Sequence, residues 1–280
     1  MDIKLSIISN PCPLALPHQI NPTMTKYLPI LSILALLSCN NNSNSTAEAP
    51  ITKPVVNITP TKDQQQRRER SEAVCRARHI PVYSNPNSLF VEPEKQVKIR
   101  TKDEVVDRAI ALCYLELKSE KADKKMLAEF DQRYQVMDKL TETEKEFALA
   151  DNPTDQQMTD ANWRAESYHV MLWALGFIDS LQYPNEVCNI GEDVKHLFSR
   201  TEKEFRDKAR LRSKTEILDQ ADLVLRFHWA CVNEQLKPVA RPSKEDILNL
   251  DKSVVYERHY SLNWLIHYMN QDWDHVTTDT

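Results

Sequence analysis

From residue 64 onward apolar positions recur every three or four residues, the spacing of helices that bury one face. The stretch 210–232, RLRSKTEILDQADLVLRFHWACV, is the one around which the rest is organised. Ser213 followed by Glu216 is a capping box, so a helix is expected to start there. Ile217, Ala221, Val224 and Cys231 fall on one face, widened by Leu218 and Leu225. Asp219, Asp222 and Arg226 fall on another, flanked by Leu223 and Phe227 on one side and Trp229 on the other. Bulk on both sides of the charges implies a helix buried nearly all round. Its charges must then be paired, and Asp222 can reach Arg226 four residues on.

The same reasoning places the neighbours. Residues 64–78 read as a basic helix ended before Pro81. Residues 85–100, with Pro86 and Pro93, read as a long loop with a short extended piece at 97–100. Thr101 with Glu104 opens a helix to about 120, striped by Val106, Ala109, Ile110, Cys113 and Leu117. A helix is expected over 123–140, and Thr141 with Glu144 caps a short one. Residues 159–181 carry VMLWALGFI, apolar right around, which predicts a central buried helix closed by Pro184. A short helix over 192–198 is followed by a fourth capping box, Thr201 with Glu204. Pro238 and Pro242 mark a loop, Ser243 caps a short helix, and 253–269 forms the last long one. No internal repeat and no domain boundary interrupts 64–280. The fold class is mainly α: one multi-helix domain with a loop or extended segment near 80–100.

The pattern before that domain differs. Residues 24–39, MTKYLPILSILALLSC, have a basic start at Lys26, a short apolar run and a small residue before a cysteine. The run is too short to span a bilayer and has the form of a signal peptide. Leu36, Leu37, Ser38 and Cys39 resemble the bacterial lipobox, which implies cleavage after residue 38 and lipidation of Cys39. Residues 1–23 fit no part of this signal, and the expectation is that translation starts at Met24. Residues 39–63 are polar and proline-bearing without a period, as in a disordered tether. The expected location is therefore a bacterial cell membrane or outer membrane, with the domain held outside the cytoplasm by lipid.

Composition removes several function classes. Only Gly176 and Gly191 are glycines, and neither G-x-x-x-x-G-K-[ST] nor G-x-G-x-x-G occurs, so standard nucleotide-binding loops are excluded. The formal net charge of −5 and the lack of a basic face give no reason to expect nucleic acid as a partner. No H-E-x-x-H, C-x-x-C or G-x-S-x-G is present. His259, Asn263 and His267 follow each other four apart, but the two histidines lie about 12 Å apart along a helix and cannot share one ion unaided. No metal and no cofactor is expected. Cys113 and Cys231 sit on apolar faces, and Cys75, Cys113, Cys188 and Cys231 are expected to be free thiols in a domain large enough to rest on its core.

Several short motifs in order resemble domain of unknown function 4272. They are Ile80-Pro81-Val82, Lys98-Ile99-Arg100-Thr101, Trp163-Arg164-Ala165-Glu166 and Leu172-Trp173-Ala174-Leu175-Gly176. Leu211-Arg212-Ser213, Glu216-Ile217-Leu218-Asp219, Asp222-Leu223, Arg226 and His228-Trp229-Ala230 continue the series. Val254-Val255-Tyr256-Glu257-Arg258-His259-Tyr260, Leu262-Asn263-Trp264-Leu265, Trp273-Asp274 and Thr278-Asp279-Thr280 close it. The resemblance covers roughly 65–280 and implies no particular chemistry, so it carries over no catalytic residues.

The polar residues of those motifs are the candidate cluster: Arg164, Glu166, Asp219, Asp222, Arg226, His228, Glu257, His259, Asn263 and Asp274. One reading has them converge between three helices as a pocket in which a carboxylate and a histidine act as acid and base. The plainer reading is a buried ion-pair network that holds helix register. Tyr256, Tyr260, Trp264 and Tyr268 line a groove in the first reading and fill the core in the second. A membrane-anchored binding or interaction module with an unidentified protein partner or small ligand fits the residues best. The alternatives are a hydrolase built on an Asp/Arg/His cluster and a toxin-neutralising protein. An accessible cleft would favour chemistry, and a sealed network would favour structure.

Overall fold

The helices that follow Thr101, Thr141, Thr201 and Ser213 start where their capping boxes put them. The computed structural model describes residues 56–236 and 249–280. The leader 1–23, the signal 24–38, Cys39, most of the tether and the Pro238–Ser243 segment lie outside the described residues. α1 is Lys62–Ala77, α2 Lys102–Ser119, α3 Lys124–Tyr134 and α4 Glu142–Leu149. α5 is Asp155–Ala174, and two single turns, α6 Ile190–Asp193 and α7 Lys195–Phe198, precede α8 Glu202–Lys208. α9 is Lys214–Gln235 and α10 Lys252–Leu265. The architecture is mainly helical, with no strand among the described residues.

The five longest of these helices pack side by side in the order α2, α5, α10, α9, α1, while α3 and α4 lie against α2 and α6 lies against α5. Their facing stripes make one core, including Leu112, Met171, Leu172, Ile217, Val224 and Leu262, all within 1% of full burial. Removing side chains of this size from water stabilises the fold by about 1.5–3 kcal/mol each. α9 behaves as its pattern requires. Ser213 accepts from the Glu216 amide, and Asp222 and Arg226 are both 1% exposed and hydrogen-bonded at 2.8 Å.

α1 is buried although it is polar, and the loop after it explains why. Residues 80–100 form no ladder, so their carbonyls need other donors. Gln64 donates to the Val91 carbonyl at 2.8 Å and Arg67 to that of Glu92 at 3.1 Å. Arg68 donates to the carbonyls of Tyr83, Ser88 and Asn85. The basic character of the segment serves the loop's backbone. Residues 97–100 do not join a strand; the Arg100 amide instead bonds the Leu265 carbonyl at 2.9 Å.

Several boundaries differ from the sequence expectation. The helix expected over 123–140 stops at Tyr134, because Gln135 adopts a left-handed conformation (φ 49°) and Lys139 satisfies the freed Tyr134 carbonyl at 2.5 Å. α5 begins at Asp155, since Thr154 and Gln157 form a capping box. It ends at Ala174 rather than near 181. Gly176 (φ +73°) turns the chain there, the Phe177 amide bonds the Leu172 carbonyl, and Phe177 stacks on Phe205 at 4.5 Å. The expected 192–198 helix is two turns, α6 and α7. α10, expected over 253–269, is capped by Asp251 and finishes at Leu265 because His267 is left-handed (φ 52°). Residues 57 and 58 bond the 85–87 loop, so the segment leading into α1 is docked there.

Candidate functional site

α5 and α10 face each other, and their contact carries the charges that reach a cleft. Arg164 Nη1 lies 3.0 Å from Glu257 Oε2, and the Ser167 hydroxyl donates to the same oxygen at 2.9 Å. The Arg164 guanidinium covers the Tyr260 ring at 4.5 Å and stands 5.7 Å from Trp273. Burial pushes the Glu257 carboxyl above its ordinary range, against the opposing pull of Arg164 and Ser167.

A cavity of about 380 Å³ opens at this pair, with Trp163, Tyr256, Trp273 and Asp274 on its wall. Glu144, Glu146 and Asp160 complete its acidic lining. Glu144 is held by Arg108 at 2.6 Å, and Glu257 by Arg164. Glu146, Asp160 and Asp274 carry no ion pair among the described residues. A second cavity of about 390 Å³ shares Trp163, Tyr256 and Glu257 with the first and reaches His228 and Lys252. Those three shared side chains therefore form the partition of one furrow.

Behind the second cavity, His228 Nδ1 lies 2.7 Å from His259 Nδ1. One ring must donate a proton to the other, which requires the pair to share fewer than two Nδ1 protons. Burial, reinforced by the charge of His228, lowers His259 to about 3, and burial also lowers His228. The pair is neutral near pH 7, a hydrogen-bonding post rather than a positive charge.

The remaining candidates go elsewhere. Glu166, 1% exposed, holds Arg258 Nε at 3.1 Å and accepts the Cys188 amide. Asp222 and Arg226 are sealed inside α9's packing. Asp219 leaves that group for the surface, where it meets Arg70 at 2.5 Å. Asn263 donates to the Thr277 carbonyl at 2.8 Å and so pins the C-terminal tail. The ten residues do not converge. Arg164, Glu257, Asp274 and His228 border the furrow, His259 backs it, and the others are internal or peripheral. Of the aromatics, Tyr256 is 42% exposed and lines both cavities, whereas Tyr260 and Trp264 are buried.

Two features had no signature along the chain. The acids Glu146 and Asp160 come from different helices and meet only in the cleft. His169 of α5, Cys188 and Asp193 of α6 offer ligand atoms within 4.8 Å of one another, and His169 Nδ1 lies 2.7 Å from Asp193 Oδ2. They are the residues suited to a cation, and their spacing matches no linear metal motif. Cys75, Cys113 and Cys188 are free thiols. No described helix is long and apolar enough to cross a membrane.

Residues 67–276 match the family model described as Domain of unknown function (DUF4272). No curated protein and no solved structure shows a significant match to the chain.

Proposed function

The chain belongs to the DUF4272 domain of unknown function family, and from that premise we propose that it is a lipid-anchored binding module of a bacterial envelope. Its furrow takes a ligand or partner segment presenting an ammonium or guanidinium group. One observation carries this reading: the α5–α10 cleft joins the aromatic side chains of Trp163 and Tyr256 to acids that have no ion-pair partner among the described residues. Trp163 and Tyr256 offer ring faces, which attract a cation by about 0.5–2 kcal/mol, while the buried Trp273 backs the wall and is already engaged by Arg108 and Arg164. Glu146, Asp160 and Asp274, without an ion-pair partner among the described residues, add negative charge. The lipobox resemblance at residues 36–39 supplies the anchor in this reading, with Cys39 as the lipid-bearing residue.

The hydrolase alternative has less to rest on. Asp222 and Arg226 are closed off, and Glu257 is already engaged by Arg164 and Ser167.

Titration of tryptophan fluorescence with choline and with arginine amide tests the cleft. Saturable binding weakened by salt is expected, and Asp274→Asn with Glu146→Gln should lower affinity about tenfold. Absence of saturation, or unchanged affinity in the double variant, would overturn the cationic reading. Fractionation tests the anchor: Cys39→Ser should move the protein from the membrane to the soluble fraction, and retention in the membrane would refute lipidation there.

A further inference from the structure

We propose that His169, Cys188 and Asp193 form a binding site for a Zn²⁺-class divalent cation, separate from the cleft. His169 lies five residues beyond Arg164, which turns it by about 140° around α5, and it faces α6 instead of α10. Its Nδ1 is 2.7 Å from Asp193 Oδ2, and the Cys188 thiol sits at the approach to α6, all ligand atoms lying within 4.8 Å.

The frame of this group is held by bonds that use none of the ligand atoms. Glu166 accepts the Cys188 backbone amide, and the Tyr168 hydroxyl donates to the Asp193 carbonyl at 3.1 Å. Glu166 and Tyr168, both on α5 just before His169, thus position the backbones of the other two ligands. Such outer support is what a metal site needs to keep its ligands in reach. Bonds of about 2.0–2.3 Å in a tetrahedral arrangement place ligand atoms roughly 3.3–3.6 Å apart. The His169–Asp193 contact must open by about half an ångström to an ångström, a side-chain movement within a fixed backbone.

The charge around the group also calls for a cation. Asp193 has only His169 as an ion-pair partner among the described residues. Glu116 on α2 is 2% exposed, and its Oε2 is without a hydrogen-bond partner among the described residues. A bound divalent ion accounts for an imidazole, a thiol and a carboxylate brought to one point, because it stabilises thiolate and carboxylate together. A mixed nitrogen, sulfur and oxygen set suits Zn²⁺ and disfavours Mg²⁺ or Ca²⁺. Three protein ligands leave a fourth position for water.

The test uses the full chain, stripped with chelator and titrated with Zn²⁺ and with Co²⁺. One equivalent should bind, and Co²⁺ should give a near-ultraviolet thiolate charge-transfer band. Cys188→Ser should abolish that band, and both it and His169→Gln should weaken Zn²⁺ binding by at least about 100-fold. Alkylation of the unaltered chain provides a readout free of folding artefacts: Zn²⁺ should slow modification at Cys188 and leave Cys75 and Cys113 unaffected. No stoichiometric binding, a band that survives Cys188→Ser, or Cys188 alkylation indifferent to Zn²⁺ would each overturn the site.

Discussion

Asp222 and Arg226 show how a single pair can be readable and still hold a structural surprise. Their spacing on one helix foretold the contact, and both are 1% exposed. Arg226 Nη1 has no hydrogen-bond partner among the described residues, so the pair is imperfectly satisfied there. Removing one member strands a buried charge, and Asp222→Ala should cost about 3–5 kcal/mol in urea denaturation at neutral pH. Replacing both, Asp222→Leu with Arg226→Met, should restore stability to within about 1 kcal/mol of the parent. Glu116 is the opposite case: nothing in the sequence marks it, because lack of a partner is a tertiary property. Burial, followed by repulsion from Glu120, raises its carboxyl from 4.5 to about 8. The folded state therefore favours the neutral acid, whose contribution is complete below pH 4.5 and is lost as pH rises towards 8. In chelator, Glu116→Gln should gain on the parent by on the order of 1 kcal/mol per pH unit across that window. Parallel stability curves from pH 5 to 8 would show that Glu116 does not titrate there.

Helix starts were far more readable than helix ends, for a local reason. Thr101, Thr141, Thr201 and Ser213, each with Glu at the third helical position, all cap their helices. Thr61 and Thr154 do the same with Gln64 and Gln157, and the glutamate pattern passes over them. Ends at Gln135 and His267 depend on left-handed residues other than glycine, which no composition rule identifies. At Gly176 the signal was present but hidden inside an apolar run. There the turn lets Arg210 and Arg212 bond the Leu175 and Ala174 carbonyls, and an added Cβ would lie 3.0 Å from the Arg210 carbonyl oxygen. Alanine normally improves a helix, yet Gly176→Ala should destabilise this protein by about 1–2 kcal/mol, since φ is positive and the space is filled. Thermal unfolding should report a lower midpoint, and an unchanged or raised one would contradict the turn's role.

At the scale of the molecule, the mainly helical class was readable because it follows from periodicity, whereas the site was readable only in part. Motif order brought forward Arg164, Glu257 and Asp274 together, but it also drew in Asp219 and Asn263, which serve the surface and the tail. Which polar residues meet depends on the packing of α5 against α10 and on where the tail folds back. Trp273 joins these two determinants. It is 4% exposed, meets Tyr260 and Trp264 edge-on at 5.2 and 5.4 Å, and receives the Arg108 guanidinium at 4.7 Å. The Tyr260 hydroxyl donates to its carbonyl. Arg108 holds Glu144, and Arg164 holds Glu257, so the tail tryptophan backs both ion pairs of the cleft wall. Trp273→Ala should cost about 3–5 kcal/mol of stability. It should also weaken choline binding at temperatures where the variant remains folded, because both arginines lose a ring that fixes them. Trp273→Phe, which keeps a ring face, should recover most of the affinity while recovering only part of the stability. Affinity that tracks stability alone across the two variants would instead reduce Trp273 to a core residue and remove it from the cleft.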